Sequence, residues 1–260
     1  MINSLTGTFL ICLVLLFLYM SAVFVLATAK KNNSIVDVAY GGAFILIALV
    51  TLMTSSDIGA KQLLAASLVT IWGLRLAVHV GTRNWGKEED FRYKKWRDSW
   101  GKFFLIRSFL QTYMLQGLIV FVVSLPVILI NSSKASTIGL FDLGGMFVWV
   151  VGFLFETVGD FQLSTFIKNP VNKGKLMTKG LWQYTRHPNY FGEATLWWGL
   201  FLIALPVPYS FLAVFSPVLI DFLLLKVSGI PLLEEKYKGR ADFEEYKLKT
   251  SAFFPMLPKR

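Results

Sequence analysis

The sequence predicts an all-α membrane protein, a polytopic bundle of about seven transmembrane helices. Of its 260 residues, 55% are hydrophobic and only 16% are charged, whereas soluble domains carry about 25% charged residues. Mean hydropathy is +0.56. Apolar runs of about 20 residues, enough to cross about 30 Å of hydrocarbon, lie near residues 5–28, 35–54, 62–82, 103–130, 138–161, 189–206 and 208–227.

The first apolar run is expected to remain in the protein. It has no basic segment before it and no small-residue cleavage site, and further runs follow it, so it differs from a signal peptide. The chain also contains no low-complexity tract, no Ser/Pro linker and no internal repeat. We therefore predict a single integral membrane domain over residues 1–260.

The distribution of Lys and Arg predicts the orientation of the bundle. Basic residues are concentrated after the first run, around the junction of the third and fourth, after the fifth, and in the tail. The alternate loops contain only Lys61 and Lys134. Because positively charged loops remain in the cytoplasm, we expect the N-terminus outside and the C-terminus inside. This distribution explains the net charge of +10 without nucleic acid as a partner.

The cytoplasmic loops are the long ones, so we expect the functional site to open to the cytoplasm. The expected membrane is either the bacterial inner membrane or that of the endoplasmic reticulum. The sequence leaves the oligomeric state open. Cys12 is the only cysteine and the chain has two histidines, whereas zinc sites take about four N, S or O ligands. We predict no metal.

The most informative polar motif lies at residues 180–193. If the sixth span begins at Pro188, where proline suits the first helical turn, Asn189 and Glu193 share one helical face. Arg186 and His187 then precede the helix start, whose free N–H groups favour an anion. This arrangement suits a phosphate or carboxylate. The alternative is a membrane-interface cap, with Arg186 on lipid headgroups and Glu193 paired to it.

Two further polar series follow helical spacing. Glu156, Asp160, Ser164 and Lys168 recur every four residues at the end of the fifth span and predict one polar helical face. Their alternative role is intrahelical ion pairing. Arg75, His79 and Arg83 repeat the spacing in the third span, followed by Asn84, Asp90, Arg92 and Tyr93. Arg75 alternatively pairs with Glu156 or Asp160 to hold two helices together.

The second span begins with Asp37 and Tyr40, followed by Gly41 and Gly42, which permit close helix approach. Asp37 is either a helix cap or a group that protonates or orients a substrate. After the seventh span, Glu234 and Glu235 would accept ribose hydroxyls, meet Arg186, or cap the tail.

Two cytoplasmic segments are amphipathic. Residues 87–100 and 233–246 place aromatic side chains among charges, a pattern typical of helices at headgroup level. Either segment can be an anchor without chemistry. Together the polar sites predict one pocket that is basic toward the cytoplasm and apolar toward the bilayer. Such a pocket suits a phosphate-bearing cofactor and a lipid-soluble substrate.

Several motifs together resemble the DUF1295 membrane proteins of the steroid 5α-reductase-like group. The main one is Gly180-Leu-Trp…Arg186-His-Pro-Asn-Tyr-Phe-Gly-Glu193, followed by Trp197-Trp-Gly199. Further similar segments are Trp72-Gly-Leu-Arg75, Arg83-Asn84, Glu89-Asp-Phe-Arg-Tyr93, Glu156…Asp160-Phe-Gln-Leu163 and Ser228-Gly-Ile-Pro231. The resemblance therefore covers nearly the whole chain.

This resemblance implies a reductase that transfers hydride from NADPH to the carbon–carbon double bond of a lipophilic enone, such as a 3-oxo-Δ4 steroid or a related lipid. It implies nucleotide-binding roles for Arg83, Asn84, Asp160, Lys168, Arg186, His187, Asn189, Tyr190, Glu193 and Glu235. The family also uses a catalytic acid and a tyrosine, for which Asp37 and Tyr40 are the best matches in this sequence.

Two other functions fit parts of the sequence. Isoprenylcysteine carboxyl methyltransferases, which bind S-adenosylmethionine, also have an Arg-His-Pro-x-Tyr element before a span. Asn189, Phe191 and Trp197-Trp198 favour the reductase instead. A non-catalytic lipid-binding protein is the remaining alternative.

Overall fold

The computed structural model describes residues 5–134 and 137–259, and its regular elements there are helices. Among the described residues, β-type pairing is limited to one isolated bridge between Thr185 and Ser251. The chain divides into two compact units. The first contains the residues up to Gly139 together with Ala204–Phe215, and the second contains Leu140–Ile203 together with the chain from Ser216 onward.

The first unit begins with three long helices and continues with a fourth helical stretch, Phe91–Val123, which changes its hydrogen-bonding pattern along its length. Within Phe91–Val123, a 3-10 turn follows the first helix, and a π-helical segment, Phe109–Met114, precedes the last helix. The helices are α1 (Leu5–Ala29), α2 (Ile35–Met53), α3 (Ala60–Asn84), α4 (Phe91–Trp100), α5 (Phe104–Ser108), α6 (Leu115–Val123) and α7 (Leu125–Asn131).

Helices α2 and α3 pack against each other through two glycines. A Cβ on Gly41 would lie 2.5 Å from the carbonyl oxygen of Gly73, and a Cβ on Gly73 would lie 2.8 Å from the carbonyl oxygen of Gly41. Because real Cβ atoms do not approach so closely, the two backbones require glycine at both positions. The predicted role of Gly41 in close helix approach is confirmed.

The second unit is built on two antiparallel helices. Its helices are α8 (Leu140–Lys168), α9 (Pro188–Ala204), α10 (Phe215–Phe222, which starts at the unit boundary), α11 (Ile230–Glu235) and α12 (Ala241–Lys249). Helix α9 begins at Pro188, as predicted. Each of its residues is buried or half-buried.

A row of glycines brings α8 and α9 together. Gly145 meets the backbone of Gly199, and Gly152 meets that of Gly192. Farther along, Gly159 meets the backbone of Asn189. Small residues at this spacing allow the two backbones to approach closely, which stabilises helix pairs in membranes through packing.

Six helical stretches of the described chain are long and apolar enough to cross a membrane: Leu5–Ala29, Ile35–Met53, Ala60–Asn84, Phe91–Val123, Leu140–Lys168 and Ser210–Glu235. Helix α9 has 17 residues and is shorter than these. The protein is therefore a multi-pass helical membrane protein by length and composition. The count of seven spans, the orientation of the termini and the single domain stay predictions.

One of the two amphipathic segments has its predicted form. Residues 91–100 form the short helix α4, as predicted, and Gly101 ends it with φ of 49°; its place at the headgroup level stays a prediction. Residues 233–246 do not form one helix, because α11 ends at Glu235 and α12 begins at Ala241. Gly239, in the turn between them, has φ of 80°, a left-handed conformation that glycine adopts without strain.

Candidate functional site

The predicted polar residues fall into one cluster in each of the two units. In the first unit, the cluster surrounds Asp37 in the first turn of α2. The Tyr93 hydroxyl donates to Asp37 Oδ1 at 2.7 Å, and Arg92 Nη2 lies 3.3 Å from Asp37 Oδ2. Tyr93 is only 4% exposed. A carboxylate, a phenol and a guanidinium are thus held together at the beginning of α2.

Helix capping positions this cluster. The N-cap of α2 is Ser34, so the predicted capping role of Asp37 is wrong. The Asp37 carboxylate instead contacts Tyr93 and Arg92. Ser34 Oγ accepts from the backbone N–H of Asp90 at 2.8 Å. Asp90 in turn caps α4 by accepting from the N–H of Arg92 at 3.0 Å. The start of α2 and the start of α4 are therefore tied together.

A second hydrogen-bonded layer supports the first. The Asn33 N–H donates to Glu89 Oε1 at 2.8 Å, and the same carboxylate pairs with Arg97 at 2.8 Å. The Asn33 side chain donates to Ser108 at 2.9 Å and accepts from Tyr113 at 3.1 Å. Because these partners come from the loop before α4, from α5 and from the π-helical segment, the loop before α2 has a fixed conformation.

The charge of Arg92 also acts on Asp90. Burial raises the pKa of the Asp90 carboxyl, but the hydrogen bonds and the charge of Arg92 outweigh it, so this pKa lies below its usual value. Asp90 is consequently ionised at neutral pH. Arg92 then has one carboxylate on each side, Asp37 and Asp90.

The other predicted residues of the first unit have different contacts. The Tyr40 ring packs edge-on against Phe44, with centroids 5.0 Å apart. The phenol that donates to Asp37 is that of Tyr93. At the end of α3, Arg83 Nε lies 3.4 Å from Asn84 Oδ1.

In the second unit, the motif before α9 is tied to the C-terminal segment. Arg186 Nε donates to Glu234 Oε1 at 2.8 Å, and Arg186 Nη1 donates to the Thr250 carbonyl at 2.5 Å. His187 Nε2 lies 3.1 Å from the same Glu234 oxygen. The Arg186 side chain is only 9% exposed. Of the roles predicted for Glu234, the pairing with Arg186 is therefore the one found.

Backbone contacts extend this connection. The Arg186 N–H donates to the Ser251 carbonyl at 2.8 Å, and the Met256 N–H donates to the Tyr184 carbonyl at 2.9 Å. Tyr246 donates its hydroxyl to the Trp182 carbonyl. Burial raises the pKa of Tyr246, so the phenol keeps the proton that this bond needs. Residues 246–256 are thus held against residues 182–186.

Two buried polar atoms beside this connection have no partner among the described residues. They are His187 Nδ1 and Asn189 Oδ1. His187 is 5% exposed, and the Asn189 amide donates to Asp160 Oδ1 at 3.1 Å. Buried polar atoms are rarely left unsatisfied. These two atoms therefore mark a place where a ligand would complete the hydrogen bonding.

Of the remaining predicted residues of the second unit, Tyr190 and Glu193 follow His187 and Asn189 in α9, whereas Lys168 and Glu235 are exposed. The Tyr190 ring stacks on His187, with centroids 5.5 Å apart, and Glu193 is half-buried one turn later in α9. Lys168 is exposed at the end of α8. Glu235 pairs with Lys238 at 3.2 Å, and its side chain is 68% exposed.

The sequence does not indicate the roles of two residues of these clusters, nor that of one residue elsewhere. Tyr93 belongs to the polar series after the third span but receives no role of its own there, and Glu234 is not distinguished from Glu235. Asp221, in α10, accepts from Trp198 Nε1 at 3.0 Å. Asp221 could be singled out from the sequence alone, because it lies within an apolar span, where a carboxylate is costly.

Comparisons with known proteins identify the family. A model of the family described as protein of unknown function (DUF1295) matches residues 23–250. The match covers most of the chain, so the chain belongs to this family, and the resemblance stated above is confirmed. A stretch of 53 residues is 43% identical to the probable O-methyltransferase ustE of Ustilaginoidea virens, covering 20% of this chain and 18% of that protein. No solved structure matches.

Proposed function

Because the chain belongs to the DUF1295 family, we propose that it is an NADPH-dependent membrane reductase that adds hydride to the carbon–carbon double bond of a lipophilic enone. The observation that carries this proposal is the hydrogen bond of the buried Tyr93 to Asp37. Enone reduction needs a proton donor at the carbonyl oxygen, and a phenol held by a carboxylate is suited to that task.

The residues before and within α9 fit a nucleotide cofactor. His187 Nδ1 and Asn189 Oδ1 are buried without described partners, and a bound amide or hydroxyl group would satisfy both. The loop from Lys168 to Lys179 contains four lysines, which would attract phosphates. In this proposal His187, Asn189, Tyr190 and Glu193 hold the cofactor, together with Asp160 and Lys168.

Arg186 has a different proposed role from the one its sequence position suggests. Its guanidinium donates to Glu234 and to the Thr250 carbonyl. A phosphate would have to compete with a carboxylate for the same donors. We therefore assign Arg186 to positioning His187 and the C-terminal segment, and the phosphates to the lysines. The predicted contact of Glu235 with the cofactor stays a proposal with less support, since that side chain pairs with Lys238.

Bound NADPH would supply the hydride. Negative charge then develops on the carbonyl oxygen of the enone, and a hydrogen-bond donor there lowers the barrier. Tyr93 would donate its proton to that oxygen, giving an enol and a phenolate. The enol would return to the ketone as a proton from water adds to the α-carbon and the enol O–H proton goes back to Tyr93. Asp37 would orient the Tyr93 hydroxyl by accepting its hydrogen bond.

The substrate is expected to be lipophilic. The helices that carry these clusters are apolar along most of their length, so a substrate reaching them from the bilayer must be lipid-soluble. The side of the membrane to which the site opens, which we expect to be the cytoplasmic side, belongs to the same proposal.

The first experiment compares cofactors. Purified full-length protein in detergent is titrated with NADPH, NADH and S-adenosylmethionine by calorimetry. We expect binding of NADPH, followed by its oxidation when a 3-oxo-Δ4 steroid is added but not when the saturated ketone is added. Tight binding of S-adenosylmethionine alone would end the reductase proposal.

The second experiment separates the two tyrosines. Removal of a general acid lowers turnover by about 10²–10⁴-fold, and we expect this loss for Tyr93→Phe with NADPH affinity retained. The matched variant Tyr40→Phe should keep most of the activity. If Tyr40→Phe loses turnover and Tyr93→Phe does not, the predicted pair of Asp37 with Tyr40 is correct and our assignment of Tyr93 is wrong.

A methyltransferase is the second candidate function, favoured by the stretch that is similar to a probable O-methyltransferase. That similarity spans a small part of both chains, so it has less weight than the family match. The same titration decides between the two, because hydride transfer and methyl transfer use different cofactors.

A further inference from the structure

Arg92 is a cation beside the proposed proton donor, and the reaction described above gives it no role. It lies in the first turn of α4, directly before Tyr93. Its Nη2 is 3.3 Å from Asp37 Oδ2, while the Tyr93 hydroxyl is 2.7 Å from Oδ1 of the same carboxylate. The guanidinium carbon lies 5.5 Å from the centroid of the Tyr93 ring. The arginine and the reacting phenol therefore share one carboxylate.

The proposed reaction places new negative charge next to this arginine. When Tyr93 gives its proton to the carbonyl oxygen, a phenolate is left beside the Asp37 carboxylate, and two like charges at that distance disfavour each other. Tyr93 is buried, so water screens this repulsion poorly. A fixed positive charge in contact with the pair stabilises the charged state. Proton transfer from Tyr93 is therefore favoured by a cation in the position of Arg92.

Asp90 holds the guanidinium in that position. Arg92 Nε donates to Asp90 Oδ1 at 2.9 Å, and Nη2 lies 3.4 Å from Asp90 Oδ2, so one edge of the planar group faces both oxygens of the carboxylate. Such two-point pairing fixes the geometry of an arginine as well as its charge. Asp90 is itself held by Ser34 at the start of α2. The positive charge is thus in place before the reaction begins.

One nitrogen of Arg92 remains available to a substrate. The hydrogen bonds of this residue to the described chain use its backbone N–H, Nε and Nη2, and Nη1 has no partner there. The side chain is 37% exposed, so a ligand can reach it. A guanidinium is not deprotonated in proteins. Arg92 can therefore donate a hydrogen bond without competing with Tyr93 as the source of the proton.

We propose that Arg92 is a catalytic residue of the reduction. Its Nη1 donates to the carbonyl oxygen of the enone as that oxygen becomes negative, and its charge compensates the phenolate of Tyr93. Asp90 is the positioning residue that holds it. This inference rests on the proposed function, because it needs an enone oxygen at Tyr93.

The test measures NADPH oxidation by the full-length protein in detergent with a 3-oxo-Δ4 steroid. Loss of one donor to such an oxygen lowers kcat about 10²–10³-fold, and we expect this loss for Arg92→Ala. The KM for the steroid and the affinity for NADPH should change little, because the lost contact is strongest in the transition state. Lys95→Ala removes an exposed cation from the same helix and should leave kcat unchanged.

Chemical rescue separates a catalytic arginine from a structural one. Guanidinium chloride, added to Arg92→Ala well below the concentrations that unfold proteins, should restore part of the lost kcat. Urea has a similar shape but no charge and should restore none. Asp90→Asn keeps a side chain that caps helices equally well but loses the ionic hold on Arg92. Its kcat should fall about tenfold, with the thermal unfolding midpoint and KM retained.

The outcomes distinguish this inference from the reductase proposal itself. Wild-type protein that does not oxidise NADPH with any enone would overturn both. Turnover by the wild type that Arg92→Ala retains, a loss confined to KM, or equal rescue by urea and guanidinium would overturn the role of Arg92 alone. If Arg92→Ala does not fold, Asp90→Asn decides, and an unchanged kcat in that variant would overturn the inference.

Discussion

The buried Arg186 and the half-buried Glu234 form an ion pair whose partners are 48 residues apart in sequence. The adjacent Glu235 has the same chemistry but is 68% exposed and pairs with Lys238. Surface pairs contribute little to stability because both charges are already hydrated. Two neighbouring glutamates thus provide a matched comparison of a half-buried carboxylate, paired with a buried arginine, and an exposed one.

Glu234→Ala should destabilise the protein by about 3 kcal/mol, because it leaves the buried Arg186 charge without its carboxylate partner. Glu235→Ala should leave the thermal unfolding midpoint unchanged. Trypsin digestion gives a second measurement, since residues 246–256 should become cleavable at lower temperature only in Glu234→Ala. Replacing both partners by methionine should recover part of the loss. Equal midpoints for the two alanine variants would mean that the pair does not stabilise the tail.

The sequence predicted that an acid after the last span would meet Arg186, but it did not distinguish Glu234 from Glu235. Adjacent helical positions differ by about 100° in direction, and the rotation of a six-residue helix such as α11 cannot be derived from its own pattern. The role of Tyr93 does not follow from the sequence for a related reason. Its partner Asp37 is 56 residues away, and only the packing of α4 against the start of α2 brings the two together.

At the level of the elements, the apolar runs predicted the long helices well, because run length alone decides whether a segment can span. The sequence did not predict the π-helical segment Phe109–Met114 or the division of residues 233–246 into two helices. These features depend on tertiary packing and on single turn residues. The glycines of α8 offer the clearest test at this scale. Gly152 and Gly144 belong to the same helix, but only Gly152 lies against the backbone of another helix.

Gly152→Ala should destabilise the protein on the order of 1–3 kcal/mol, as expected for overpacking. Its Cβ would lie 2.5 Å from the backbone nitrogen of Leu196 and 2.6 Å from the carbonyl oxygen of Gly192. Gly144→Ala should be neutral or slightly stabilising, since its Cβ meets nothing within 4 Å and alanine favours a helix. Thermal unfolding in detergent measures both. A midpoint for Gly152→Ala as high as that of Gly144→Ala would contradict close packing of α8 and α9.

At the scale of the whole molecule, the number of membrane crossings depends on α9. Its 17 residues extend about 25 Å, slightly less than the hydrocarbon thickness of about 30 Å. However, α9 accompanies α8 from Gly159 to Gly145, a distance of about 21 Å at 1.5 Å per residue. A helix packed antiparallel along that much of a spanning helix lies at the same depth. We therefore expect α9 to cross, and the termini to lie on opposite sides.

Single-cysteine labelling tests this expectation. Cys12 is the only native cysteine and is fully buried, so Cys12→Ala provides the background. Reporter cysteines replace the exposed residues Ser132, Lys173 and Lys259, and a membrane-impermeant maleimide is added to intact cells before or after permeabilisation. Positions 173 and 259 should react only after permeabilisation, because α9 and the stretch Ser210–Glu235 cross between them. Position 132 should react in intact cells. If positions 173 and 259 react on opposite sides, α9 does not cross, the number of crossings is six, and the termini lie on the same side of the membrane.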